Sequence, residues 1–185
     1  QPAGSQAAER PTPNPLKNAY FGDLHLHTRN SFDAYIFNVR ASPDEAYAYA
    51  KGGTIKHAAG FDMKMNSGPL DFLAITDHSP RLTIAHGLSV ERLRSQLAEV
   101  AVLNMELAPF RILTGMEVDI LADGSLDQDV DLLERLDVVV ASVHSKLRME
   151  RKQMTERMVL AVVNPHVDIL GHCTGRMIGK RPESE

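Results

Sequence analysis

Cysteine is almost absent from the chain. Cys173 is the only one, so no internal disulfide can form and a disulfide-stapled scaffold is excluded. Long apolar runs are missing too: nothing approaches the ~18 residues of a membrane-spanning helix, so no membrane partner is expected. Nor does one charge dominate. Lys and Arg number 20 against 24 Asp and Glu, a formal net charge of -4. That argues against a strongly basic nucleic-acid coat protein and leaves room for a local basic patch. What is present is ordinary for a globular chain able to bury a core: 185 residues, 43% apolar and 24% charged, the size of one domain or of one domain with a tail. The unusual feature is histidine, of which there are eight.

Residues 1–18 carry Pro2, Pro11, Pro13 and Pro15 and few large apolar side chains, the composition of an extended or disordered arm. Such an arm fits a mature end left by signal-peptide removal as well as any other start, so a cytoplasmic and a secreted or periplasmic home both stay open. Residues 19–185 read as one domain. Short runs at 20–27, 71–76, 110–118, 137–143 and 167–171 are apolar on both faces, which suits parallel strands covered on both sides. Helices are expected between them. One runs from Pro43 to Lys51, where Gly52-Gly53 stops it. Another follows the N-cap Ser89 to about Leu107, with Leu93, Leu97, Val100 and Ala101 on its inner face. Two more span 127–135 and 149–163, the latter with Met154, Met158, Ala161 and Val162 as its stripe. Strand-helix alternation predicts an α/β fold with a parallel sheet or barrel. Residues 53–69 break the rhythm and read as a surface insertion.

Parallel α/β folds bind ligands at the carboxyl ends of their strands. There the first strand ends in His25-Leu26-His27, whose two imidazoles share a face because strand side chains alternate. The second ends in Asp77-His78, the third in Glu117-Val118-Asp119, the fourth in Ser142-Val143-His144 and the fifth in Gly171-His172. Five consecutive strands thus deliver His or Glu to one end, which scattered core histidines would not do. Imidazoles with a carboxylate suit Zn, Mn or Fe, whereas oxygen ligands alone would suit Mg or Ca.

These motifs resemble the PHP (polymerase and histidinol phosphatase) family of metal-dependent phosphoesterases, over about residues 19–182. FGDLHLHT, SFD, AITDHS, GMEVDI, ASVHS and ILGHCTGR follow the family's order. Residues 19–78 resemble an uncharacterised PHP-like family whose members are often secreted. Residues 75–182 resemble the PHP domain of bacterial family X DNA polymerases. The resemblance implies a distorted (β/α)7 barrel, of which this chain carries about five strands, truncated before the rest. It also implies two or three divalent transition metals (Zn, Mn or Fe). His25 and His27 would ligate one, Glu117 would bridge it to a second completed by His144 and His172, and Asp33 with His78 would take a third. The family's late Asp-x-His pair has no counterpart after His172, so the third position is expected to be weak. The open sheet edge is expected to pair with a second copy.

Several residues carry a weaker signal. Cys173 stands where the family usually has proline and reads as a small buried apolar side chain. His57 is expected to be exposed, and His166 to sit at the wrong end of its strand for a ligand. Asp77 and Asp119 each stand beside a ligand and could orient it; a helix cap and a lysine pair are their respective rivals. Asp123-Gly124-Ser125 reads as a turn. Acids dominate between residues 91 and 137, bases between 146 and 181. Lys146, Arg148 and Arg176 fall just past strand ends, where they could meet phosphate oxygens, and His86 lies in a loop near the same mouth. Arg151, Lys152 and Arg157 read as a solvated helix face.

The favoured expectation is a metal-dependent phosphoesterase acting on a phosphorylated small molecule or a nucleic-acid end, with metals activating a water as nucleophile. A narrower alternative is a 3′–5′ exonuclease or DNA 3′-end-processing domain. An alternative of another class is an incomplete, non-catalytic remnant that needs a partner segment.

Overall fold

A computed structural model describes residues 14, 15, 17–176 and 179; most of the expected N-terminal arm lies outside them. The elements run β1 (Gly22–Leu26), α1 (Phe32–Ile36), α2 (Pro43–Ala50), β2 (Ile55–Lys56), β3 (Asp62–Met63), β4 (Phe72–Ile75), a 3-10 turn (Thr83–Ala85), α3 (Val90–Glu106), β5 (Arg111–Asp119), α4 (Val130–Leu133), β6 (Val138–Ser142), α5 (Arg151–Val162) and β7 (Ile169–Leu170). Five strands form one parallel sheet in the order β1-β4-β5-β6-β7. Neighbours in space are successive in sequence apart from the small hairpin β2–β3, as in an arc of a barrel. The α/β expectation holds, and all five expected strands are present.

Two apolar clusters hold the sheet. Leu73, Ile75 and Ile112 pack with Ala46, Val100 and Phe110 in one, and Met116, Val118, Val139 and Ala141 pack with Leu93, Leu97, Leu132 and Ala161 in the other. Local signals fix the helices against them. Ser42 and Glu45 form a reciprocal capping box at α2, with Pro43 at its start. Ser89 caps α3 through the Arg92 N–H at 3.3 Å, as expected. The Glu150 carboxylate caps α5 by accepting from Lys152 and Gln153 N–H.

The periodicity failed at some edges. Ala101 and Val162, expected on inner faces, are exposed. The helix expected over 127–135 shortens to one turn. The insertion 53–69 contains the antiparallel pair β2–β3, where His57 stacks on Phe61 at 4.3 Å between ring centroids and is half-buried rather than exposed.

Register sets the chemistry. Glu117 pairs with Val140 and Asp119 with Ser142, while a bridge beyond β4 sets His78 beside Glu117. Gly171 lets β7 approach β6, because a Cβ there would strike the Ser142 hydroxyl.

Ile112, 1% exposed in the core of β5, tests this packing. Ile112→Ala should lower the unfolding free energy by about 2–5 kcal/mol, seen as a lower urea midpoint at an unchanged m-value. A loss below ~1 kcal/mol, the size of an ordinary surface change, would contradict the packing described.

Candidate metal centre

Glu117 lies at the middle of the strand-end cluster and is 2% exposed. Its Oε2 is 3.0 Å from His27 Nε2, 3.2 Å from His78 Nδ1 and 3.9 Å from His25 Nε2. Its Oε1 is 3.1 Å from His172 Nε2 and 3.3 Å from His144 Nε2. Asp33, in the first turn of α1, brings Oδ2 to 3.4 Å from His78 Nε2 and Oδ1 to 3.7 Å from His27 Nδ1. All seven residues singled out from the strand ends and the SFD motif therefore converge.

Neighbouring groups set the ring orientations. His25 Nδ1 is 2.7 Å from the Thr76 hydroxyl and His27 Nδ1 is 3.2 Å from the Ser31 hydroxyl, so both rings turn Nε2 toward Glu117. Ser31 in turn donates to Asp33. Asp119 accepts from the His144 backbone N–H at 3.0 Å, and its Oδ1 is 3.4 Å from His144 Nδ1. Asp119 thus contacts His144, and no lysine pairs with it among the described residues. Asp77 instead accepts from Gln96 at 3.1 Å, tying the end of β4 to α3. Thr76 was missed in the sequence; its signal was its place two residues before His78 in a strand-end motif.

Electrostatics follow from this crowding. Burial alone would raise the Glu117 pKa, but hydrogen bonds from His144, His172 and His27 hold it far below the usual carboxylate range. Burial opposes protonation of His144, yet hydrogen bonds to Asp119 and Glu117 raise its pKa to about 9. His27 is raised as well: burial opposes its protonation, but the bond to Glu117 together with the negative charges of Asp33, Glu117 and Asp77 outweighs it. Burial lowers His25 and His78.

Three groups bring their ligand atoms within 4.8 Å of one another: His25, His27 and Glu117; His27, Asp33 and His78; and His78, Glu117 and His144. Each could hold a metal ion. His172 reaches the cluster through Glu117 and through ring contact with His144 at 5.1 Å. The donor set fits a cation on a further ground. His78 Nδ1 is buried without a hydrogen bond although it lies 3.2 Å from Glu117 Oε2, a situation that a bound cation relieves.

The remaining candidates stand outside this cluster. Lys146 and Arg148, two and four residues beyond His144, are exposed, as are Arg176 and His86. Among the described residues none of them shares a hydrogen bond or ion pair with the cluster. His86 pairs loosely with Phe32, the neighbour of Asp33, at 6.3 Å between centroids. Two expectations are overturned. Cys173 is exposed, because it lies in the turn that leaves β7 rather than in the strand. Arg157 is 1% exposed, because the face of α5 that carries it covers the ends of β5 and β6. A cavity of about 750 Å³ lies at the opposite, amino ends of the strands, against Phe72, Phe110 and Arg111, away from this chemistry. No helix among the described residues is long and apolar enough to cross a membrane.

Residues 14–158 match the model of a family described as a protein of unknown function, DUF3604. Over 160 residues the chain is 42% identical to the DNA polymerase/3′-5′ exonuclease PolX of Bacillus subtilis (strain 168), which covers 86% of this chain and 24% of that protein. Over 154 residues it is 34% identical to a probable phosphatase of Acetivibrio thermocellus and 29% identical to one of Thermoanaerobacter sp. (strain X514), in each case covering 81% of this chain. The chain spans about a quarter of the polymerase and about half of the phosphatases.

Metal binding requires neutral imidazoles and so displaces protons. Because His144 stays protonated up to about 9, divalent-metal affinity should rise with pH and level off above that value. The sign for the metal-free protein is opposite. A histidine whose pKa is raised on folding stabilises fully below its unfolded value of 6.5 and loses that contribution as pH climbs through about 9. Isothermal titration and melting curves with and without chelator read both; affinity independent of pH would contradict the assignment of His144. Replacing His25 and His27 together by Ala should empty one position and shrink the melting-temperature gap between metal and chelator; an unchanged gap would count against it.

Proposed function

The chain belongs to the DUF3604 family, and from that premise we propose that it is a metal-dependent phosphoesterase of PHP type, hydrolysing phosphate mono- or diesters. The observation that carries the reading is the buried Glu117 carboxylate, whose two oxygens lie 3.0–3.3 Å from imidazoles of four different strand-end segments. The names of the relatives, a probable phosphatase and a polymerase/exonuclease, support the same class.

The proposed ligands are His25, His27, Asp33, His78, Glu117, His144 and His172, taking two or three Zn, Mn or Fe ions. When bound, such ions supply an activated water near neutral pH and neutralise charge on the phosphoryl oxygens. The chain's own residues do the rest. Glu117 would balance more than one cation at once. Thr76, Ser31 and Asp119 hold His25, His27 and His144 in the tautomer and angle that present their free nitrogen. Lys146, Arg148 and Arg176 are proposed to meet phosphate oxygens, and His86 with Phe32 to meet the esterified group.

A second reading, a 3′–5′ exonuclease or 3′-end-processing activity, is favoured by the relative at 42% identity. Salt separates the two. Cleavage of a single-stranded oligonucleotide held by basic side chains should fall steeply between low and moderate salt, whereas hydrolysis of a small monoester should change little.

The test is elemental analysis after dialysis combined with hydrolysis of p-nitrophenyl phosphate and its bis-ester. Wild-type protein should retain two or three metals and turn over at least one ester. Glu117→Ala should drop to the buffer rate and release metal while keeping its circular dichroism spectrum. Full metal content and full activity in that variant would remove the bridging role. Metal retention without turnover of any ester would favour the incomplete, non-catalytic reading.

A further inference from the structure

Arg157 is the largest fully buried side chain among the described residues, and the metal centre as described does not use it. Its guanidinium lies within 4.0 Å of no carboxylate among those residues and instead meets backbone. Nε donates to the Ile120 carbonyl at 3.1 Å and Nη2 to the same oxygen. Nη1 donates to the Ser145 carbonyl at 2.8 Å, and Nη2 to the Ser145 hydroxyl at 3.1 Å. Ile120 follows Asp119 and Ser145 follows His144. One planar fork therefore spans the two residues that leave β5 and β6 immediately after a ligand and the group that orients it.

Burying a guanidinium on neutral carbonyls is expensive compared with an apolar residue of the same volume. An apolar side chain would fill the inner face of α5 equally well. What only arginine supplies is a rigid fork reaching two acceptors in fixed geometry. The contact it fixes is the one between Asp119 Oδ1 and both the backbone N–H and the ring of His144. Gly124 makes room for the α5 backbone, since a Cβ there would press on Leu160 and on the Arg157 carbonyl.

We propose that Arg157 is a positioning residue for the metal centre: it clamps the ends of β5 and β6 so that Asp119 orients His144. The proposal rests on the reading of His144 as a metal ligand. Groups on the far side, His27 with Asp33 and His78, have no bond to the clamp and should not depend on it.

The test uses the whole chain with Co(II) and Zn(II) as probes. Arg157→Lys keeps the charge and loses the fork. Ser145→Ala, at an exposed residue, removes one acceptor without touching the core. Arg157→Lys should lose metal affinity on the order of 10–100-fold at one position only, with one metal per chain lost on dialysis and a changed visible spectrum of the Co(II) protein. Ser145→Ala should move the same spectral band by a smaller amount. Melting in excess chelator separates this from general damage, because a purely structural arginine would lower the metal-free melting temperature and leave the Co(II) spectrum of the folded fraction unchanged. That result, or wild-type metal content and spectrum in both variants, overturns the proposal. If Arg157→Lys does not fold, an unaltered spectrum in Ser145→Ala overturns it alone. Wild-type protein that takes up no metal sinks the underlying reading and the clamp with it; metal uptake that both variants share unchanged sinks the clamp only.

Discussion

A carboxylate almost wholly removed from water is the constraint on which the strand ends depend. An ionised carboxylate at the burial of Glu117 costs several kcal/mol unless opposite charge or strong donors surround it. A parallel sheet offers one place where several side chains can converge on such a group, the carboxyl ends of adjacent strands. β5 is the longest strand and is buried from Gly115 to Asp119, so its end is the deepest point of the arc. The neighbouring strands then need only end at the same level to bring an imidazole within reach. The demand of one acid for partners and the parallel topology are two views of the same arrangement.

The environment is graded from that centre outward. The side chains of Glu117 and His78 are 2% and 4% exposed, those of His25 and His172 37% and 49%. The outer rings ride on the strands at the sheet edges, where β1 is exposed along most of its length. Charge interactions strengthen as water is excluded, so a cation held by His78, Glu117 and His144 would sit where attraction is greatest. One near His25 would exchange with solvent more readily.

Much of this was legible in the sequence. Runs that are apolar on both faces identify parallel strands wherever helices cover both sides, and a histidine or glutamate closing each run marks the shared end. Asp33 was different: no periodicity points to it, and it was identified only through the resemblance of its motif. The failures share a cause. Cys173 and Arg157 were judged by residue type, buried for a cysteine and solvated for a helix arginine. Both judgements were reversed by what lies beyond the element itself. A turn turns Cys173 outward, and two carbonyls at the ends of other strands draw Arg157 in. Hydrogen bonding to backbone leaves no trace in the residue types of the partner, so a pattern of side chains cannot reveal it.

The contrast between Arg157 and the neighbouring bases bears on how phosphate would be recognised. The segment joining β6 to α5 is fixed at both ends, by the guanidinium on Ser145 and by the Glu150 cap on α5. Between them Lys146 takes a left-handed backbone conformation, φ 50°, and its carbonyl accepts from Met149 N–H at 3.0 Å. The backbone is thus constrained while the Lys146 and Arg148 side chains stay exposed and without an ion pair among the described residues. Holding a flexible cation on a rigid base lowers the entropy lost when it closes on an anion. Arg157, the one arginine among the described residues that is buried, orders the loop, and the loop keeps its uncommitted charges two and four residues from a proposed metal ligand. A phosphoryl group bound at the centre would then meet them without a large rearrangement of the chain.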